Sequence, residues 1–165
     1  MIGGFMKRKI LIPFFLLVML LFTGCFYQTA KTLEECEMDT WVLEHGEGKV
    51  EVELYYDNKS VRFETVRYYN TYRSLGVTNE EEAKVFLDQD AERYQGIPGL
   101  SHVVLYDENG VKETVSVDYA ALDSSKAKQI PWVFVKDDKG EVSLEKARKI
   151  LKDGGFRQKK QEVGR

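Results

Sequence analysis

Two histidines and two cysteines are the scarcest reactive side chains in this chain of 165 residues. His45 and His102 each fall on or beside a strand-like run, and no serine or cysteine stands in a nucleophile-elbow setting such as Gly-x-Ser-x-Gly from which a triad could be built. The 27 carboxylates guarantee chance pairs, and no spacing of His, Cys and Asp matches a zinc or calcium site. Either histidine is therefore expected to be a solvent-facing or hydrogen-bonded strand residue. No catalytic residue, metal or cofactor is expected, and the chain does not read as an enzyme. Cys36 sits among Glu34, Glu35 and Glu37, whose negative charge disfavours a reactive thiolate. Cys25 is different, because it follows the small residue Gly24 at the close of a long apolar run.

That run belongs to a three-part leader. Met6-Lys7-Arg8-Lys9 is a short basic start, Ile10 to Phe22 is an apolar stretch with Pro13 inside it, and Thr23-Gly24-Cys25 closes it with small residues. The stretch is shorter than the roughly 20 residues that a helix needs to cross a bilayer. An uncleaved N-terminal anchor is the alternative. A basic segment normally follows the initiator directly, so Met6 is a more natural start than Met1. Phe22-Thr23-Gly24-Cys25 resembles the bacterial lipobox, in which a small residue precedes a cysteine that receives a diacylglyceryl group before cleavage. Gly24 and Cys25 fit that pattern, and Phe22 stands where the motif most often has Leu. The resemblance implies cleavage between Gly24 and Cys25, lipidation of Cys25, and a protein held on the extracytoplasmic face of the cell membrane. Each buried acyl CH₂ contributes about 0.8 kcal/mol, so two or three chains hold such a protein without a transmembrane helix.

Loss of residues 1–24 removes Lys7, Arg8 and Lys9 from 24 basic residues and nothing from 27 acidic ones. The 21 that remain against 27 give the mature chain a net charge of −6. An acidic domain is a poor partner for nucleic acid and is repelled by anionic lipid, so the lipid chain would be its hold on the membrane. With Cys25 claimed by lipid, no intramolecular disulfide is expected, and the fold must rest on its hydrophobic core.

The length fits one domain. Residues 25–38 read as a lipidated tether, 39–157 as one α+β domain, and 158–165 as a polar tail. Trp41 to Glu44 is a strand candidate, and Val50, Val52, Leu54 and Tyr56 alternate with polar partners at a period of two. After the turn at Asp57-Asn58-Lys59, Val61, Phe63 and Thr65 alternate with Arg62, Glu64 and Val66, and the strand runs on through Tyr68 and Tyr69. Thr78 with Glu81 predicts a capping box for a helix over 79–94. Its Ala83, Phe86, Leu87, Ala91 and Tyr94 share one face, and Gly96 and Pro98 stop it. A second block follows. Asn109-Gly110 predicts a hairpin between Val103–Tyr106 and Val111–Tyr119, Trp132 to Val135 is a further strand candidate, and Ser143 caps a helix that ends at Gly154-Gly155. The expected fold is an antiparallel sheet of about six strands with two helices packed on one face, in the order β3-α-β3-α.

The order of several short tracts resembles the YehR-like bacterial lipoproteins, a domain of unknown function (1307). These tracts are Tyr56-Asp57-Asn58-Lys59-Ser60-Val61, Ser74-Leu75-Gly76-Val77-Thr78, Tyr94-Gln95-Gly96-Ile97-Pro98-Gly99-Leu100, Glu113 to Tyr119, and Ile150 to Phe156. Relatives usually carry Gly as the second turn residue of the first tract, and Ala120 to Ile130 departs most. The resemblance implies fold and location and transfers no catalytic residue. A sheet covered on one side leaves its other face to solvent. Arg62, Glu64, Tyr68, Thr114 and Ser116 are expected there as a binding face for an envelope polymer, a peptide or a partner protein. The expected role is that of a binding or accessory protein of the cell envelope, with an extracytoplasmic hydrolase as the alternative.

Overall fold

A computed structural model describes residues 32–160. Gly24, Cys25 and the rest of the leader lie outside the described residues. Order begins inside the expected tether: Leu33–Glu35 form a 3₁₀ turn, closed by the Thr32 N–H donating to Glu35 Oε2 at 3.0 Å. The Cys36 thiol donates to the Thr32 carbonyl at 3.7 Å. The first strand, β1, then runs from Glu37 to His45, longer than its apolar centre at Trp41 suggests.

β2 (Gly48–Asp57) and β3 (Ser60–Thr71) continue the meander, with Asn58 in the left-handed region at their turn. Helix α1 spans Glu80–Ala91, a 3₁₀ turn follows at Glu92–Tyr94, and β4 (Leu100–Tyr106) and β5 (Gly110–Asp118) form the second hairpin. β6 (Val142–Ser143) leads into helix α2 (Leu144–Asp153), and β7 is the pair Arg157–Gln158. The spatial order is β4-β5-β3-β2-β1-β7, with β6 pairing the start of β3 and every pairing antiparallel. The fold is α+β, as the alternation of residues implied.

Both helices lie on one face of the sheet. Leu144, Ala147 and Leu151 of α2 pack with Trp41, Val52, Leu54, Val66, Val115 and Val117. Ala83 and Leu87 of α1 pack with Val111, Val104 and Tyr106. Asp39 ties α2 to the sheet: Arg148 Nε donates to its Oδ2 at 2.6 Å and the Tyr56 hydroxyl reaches its Oδ1 at 3.5 Å.

Several expectations need correction. Helix α1 is capped one residue later than Thr78: the Asn79 side chain accepts from the Glu82 N–H at 3.0 Å, and the Glu82 carboxylate turns back to the Thr78 N–H at 2.8 Å. Phe86 is 55% exposed, because the apolar stripe of α1 is narrow and only Ala83 and Leu87 reach the sheet. Trp132 to Val135 form no strand. Pro131 precedes a Trp132 held at φ 65°, and the Trp132 ring packs edge-on against Phe156 with centroids 4.9 Å apart. These residues belong to an irregular segment over residues 119–141, whose first part runs so close to Gly99 that a Cβ there would come within 2.4 Å of the Leu122 nitrogen.

Candidate functional site

The face assignment on β3 turns on one residue. Tyr55 pairs with Phe63 but Tyr56 pairs with Val61, so Arg62 is an extra residue in the ladder, a β-bulge. Val61 points into the core, and beyond the bulge Glu64, Val66 and Tyr68 do so as well, while Phe63, Thr65 and Arg67 turn to the opposite face. Of the five residues expected together on the open face, Thr114 and Ser116 are there, in register with Arg67 and Thr65. Arg62 is exposed at the bulge, and its carbonyl accepts from the Tyr119 N–H at 3.0 Å. Glu64 and Tyr68 are on the covered face, and the sequence assignment of both is wrong by that one inserted residue.

The covered face consequently holds a polar cluster. Glu64 lies between Leu54 and Val117 on the neighbouring strands and is 1% exposed. The Tyr119 hydroxyl donates to Glu64 Oε2 and accepts from the Phe134 N–H at 2.9 Å, which pins the irregular segment to the sheet. Burial pushes the Glu64 carboxyl up to about 8, against the smaller opposing effect of the Tyr119 hydrogen bond. At neutral pH Glu64 is therefore mainly an uncharged acid inside the core. One strand away, Glu113 Oε1 lies 2.8 Å from His102 Nε2, and the His102 ring stacks on Tyr94 with centroids 4.1 Å apart. Tyr68 sits beside Glu113 in the ladder, and burial raises its hydroxyl pKa well above the ordinary value.

The opposite face carries rows of long side chains across β2, β3 and β5. Lys49, Tyr69 and Lys112 form one row, with the two ammonium groups 4.1 and 5.6 Å from the tyrosine ring centre. Glu51, Arg67 and Thr114 form the next, and Glu53, Thr65 and Ser116 the one after. Arg67 Nη1 approaches Glu53 at 2.7 Å and Glu51 at 3.5 Å, and the Tyr55 hydroxyl donates to Glu53 at 2.8 Å. Burial alone would raise the Glu53 carboxyl, but the hydrogen bonds from Arg67 and Tyr55 outweigh it and hold the group below its ordinary value. Burial, followed by the bond to Glu53, pushes Tyr55 up to about 12. At the outer strand Val103 and Leu105, 51% and 58% exposed, extend this face with apolar surface.

The profile of the family described as Protein of unknown function (DUF1307) matches residues 37–157, from the start of β1 into β7. The chain belongs to that family. DUF1307 thus covers both faces and both helices. An uncharacterized lipoprotein of Listeria monocytogenes is 28% identical over 123 residues, which is 74% of this chain and 80% of the relative. An uncharacterized lipoprotein of Listeria innocua is 31% identical over 105 residues, 62% of this chain and 68% of that one. The NMR structure of the Escherichia coli YehR protein superimposes with a TM-score of 0.68 at 20% identity, over 78% of this chain and 94% of that one. That likeness establishes a shared fold, and the YehR-like DUF1307 family is one of lipoproteins whose role is unknown.

Proposed function

We propose that the chain is a lipoprotein anchored to the membrane through Cys25, displayed on the extracytoplasmic face, and acting as a binding or accessory protein of the envelope. The observation that carries the binding role is the asymmetry of the sheet. Both helices and the irregular segment pack on one side, and the other keeps a half-exposed field of tyrosines, ion pairs and hydroxyls around Arg67, Tyr69, Thr114 and Ser116. Large amphipathic faces of this kind suit peptide, polymer or protein contacts. The leader, with Gly24 before Cys25, and the lipoprotein names of the Listeria relatives support the anchor.

A hydrolase would draw on His102 and Glu113. That pair is 10% exposed on each side chain and is stacked under Tyr94. No serine or cysteine among the described residues hydrogen-bonds to it, so we read it as part of the packing and the chain as a binding protein.

Two measurements test the proposal. Labelling cells with a clickable fatty acid should mark the wild type and leave Cys25→Ser unlabelled; equal label in both would end the lipoprotein reading. A photo-crosslinking amino acid at Thr114 should trap a discrete partner in intact cells, whereas the same group at Phe86, on the helix side, should not. Identical adducts from both positions would refute the open face as the binding surface.

A further inference from the structure

The two edges of the sheet are built differently. One ends in β7, two residues long and followed by Lys159 and Lys160, the kind of short, charged edge that resists further pairing. The other ends in β4. It has seven residues, Leu100-Ser101-His102-Val103-Val104-Leu105-Tyr106, with no Asp, Glu, Lys, Arg or Pro among them. All seven pair in unbroken register with β5, and β4 has no strand on its outer side among the described residues. No bulge bends this edge away, and Val103 and Leu105 stand exposed beside it. A long, uncharged, apolar edge offers a row of backbone donors and acceptors to another strand.

We infer that β4 pairs edge to edge with β4 of a second copy of this chain, antiparallel about a two-fold axis at Val103. The sequence is self-complementary in that register. Val103 faces Val103 of the second copy, Ser101 faces Leu105, Leu100 faces Tyr106, and no charge opposes a like charge. Beyond the strand, Asp107 and Glu108 of one copy arrive opposite Gly99 and Pro98 of the other. Lys126 lies at that end, its Nζ donating to the Gly96 carbonyl at 3.4 Å, and so does Asp123, whose N–H donates to the Pro98 carbonyl at 3.1 Å, so the end carries both signs of charge. The register therefore rests on the uncharged, self-complementary strand and not on ion pairs. The pairing joins two sheets into one and sets the two Val103 side chains side by side across the axis, as isologous contacts do. This inference rests on the backbone of the edge; Val103 also borders the open face, so the copy number and not partner binding is the readout, and the two readings fail separately.

Native mass spectrometry of the full-length chain released from detergent tests it. Wild type should carry two copies. Val103→Lys and Val103→Glu each place like charges across the axis on a side chain that is exposed in the single copy, so each should weaken association by about tenfold or more without altering the fold. An equimolar mixture of the two should recover the dimer as a Lys–Glu pair. A wild type that stays single, a dimer indifferent to both charges, or two folded variants that fail to recover on mixing would each overturn the inference.

Discussion

Glu53 and Glu64 lie one row apart on adjacent strands, and they are held in opposite states. Glu53 faces the open side, where Arg67 and Tyr55 keep its carboxyl below the ordinary range. Glu64 faces the helices, has a tyrosine and no cation as its partner, and is pushed up to about 8. The difference is one of face and not of residue type. A carboxylate that keeps a guanidinium and some water stays charged, and one sealed between Leu54 and Val117 exchanges its charge for a neutral hydrogen bond. The sheet thus carries ion pairs on its open side and, on the covered side, at the Asp39–Arg148 contact with α2, while the fully sealed Glu64 is uncharged.

Leu54 is completely buried beside Glu64, and Leu54→Ala should cost about 2 to 5 kcal/mol through lost transfer energy and the cavity left behind. Urea unfolding followed by Trp41 and Trp132 fluorescence would measure it. A loss under 1 kcal/mol would mean that this side is not close-packed.

Glu64→Gln should change stability by an amount that depends on pH. The folded pKa lies above the ordinary 4.5, so between about 4.5 and 8 the unfolded chain gives up a proton that the folded chain keeps. Stability of the wild type falls with rising pH across that window and levels off above it. Glutamine can still accept from the Tyr119 hydroxyl and has no proton to lose. The variant should match the wild type near pH 4 and exceed it by on the order of 4 kcal/mol near pH 8. Urea titrations at several pH values decide this, and a difference that stays constant with pH would refute the neutral acid.

Glu53→Gln should behave in the reverse sense and more weakly. Its folded pKa is depressed, so its contribution is present above about 4.5 and is lost as pH falls through the folded value. The pair with Arg67 is partly solvated, and the loss at pH 7 should be about 1 kcal/mol. Equal stability of variant and wild type at pH 7 would show that the open face gains nothing from its ion pairs.

The sheet itself was legible in the chain. Period-two runs at Val50 to Tyr56 and Val111 to Tyr119 and the Ser143 cap lie where the residues place them, while the hairpin expected to turn at Asn109-Gly110 turns one residue earlier, at Glu108-Asn109, with Gly110 already in β5. The candidate face was not, because Arg62 shifts the phase of β3 and is neither Gly nor Pro to announce it. One signal was available: Val61 and Val66 are both apolar and five residues apart, an odd spacing that cannot put both on one face of a regular strand. The missing strand at Trp132 was hidden for a different reason. Its apolar run is long enough to pair, but Pro131, the left-handed turn at Trp132 and the Phe134 N–H bond to Tyr119 commit its backbone elsewhere.

The smallest effect belongs to the helix that covers the apolar side. Helical spacing places Phe86 in the same stripe as Ala83 and Leu87, and a buried phenylalanine would cost about 3 to 5 kcal/mol on truncation. In the structure α1 touches the sheet along a line only two residues wide, with Phe86 turned 55% to solvent and Leu87 nearly sealed. Phe86→Ala should therefore stay within about 0.5 kcal/mol of wild type. Alanine's better helix propensity returns some of what the lost contacts remove. Leu87→Ala, its neighbour, should cost about 2 kcal/mol or more against Val111 and Val104. Parallel urea unfolding of the two variants makes the contrast internal to one helix. Equal losses from both would show that α1 presses a broader face on the sheet than its two buried residues indicate.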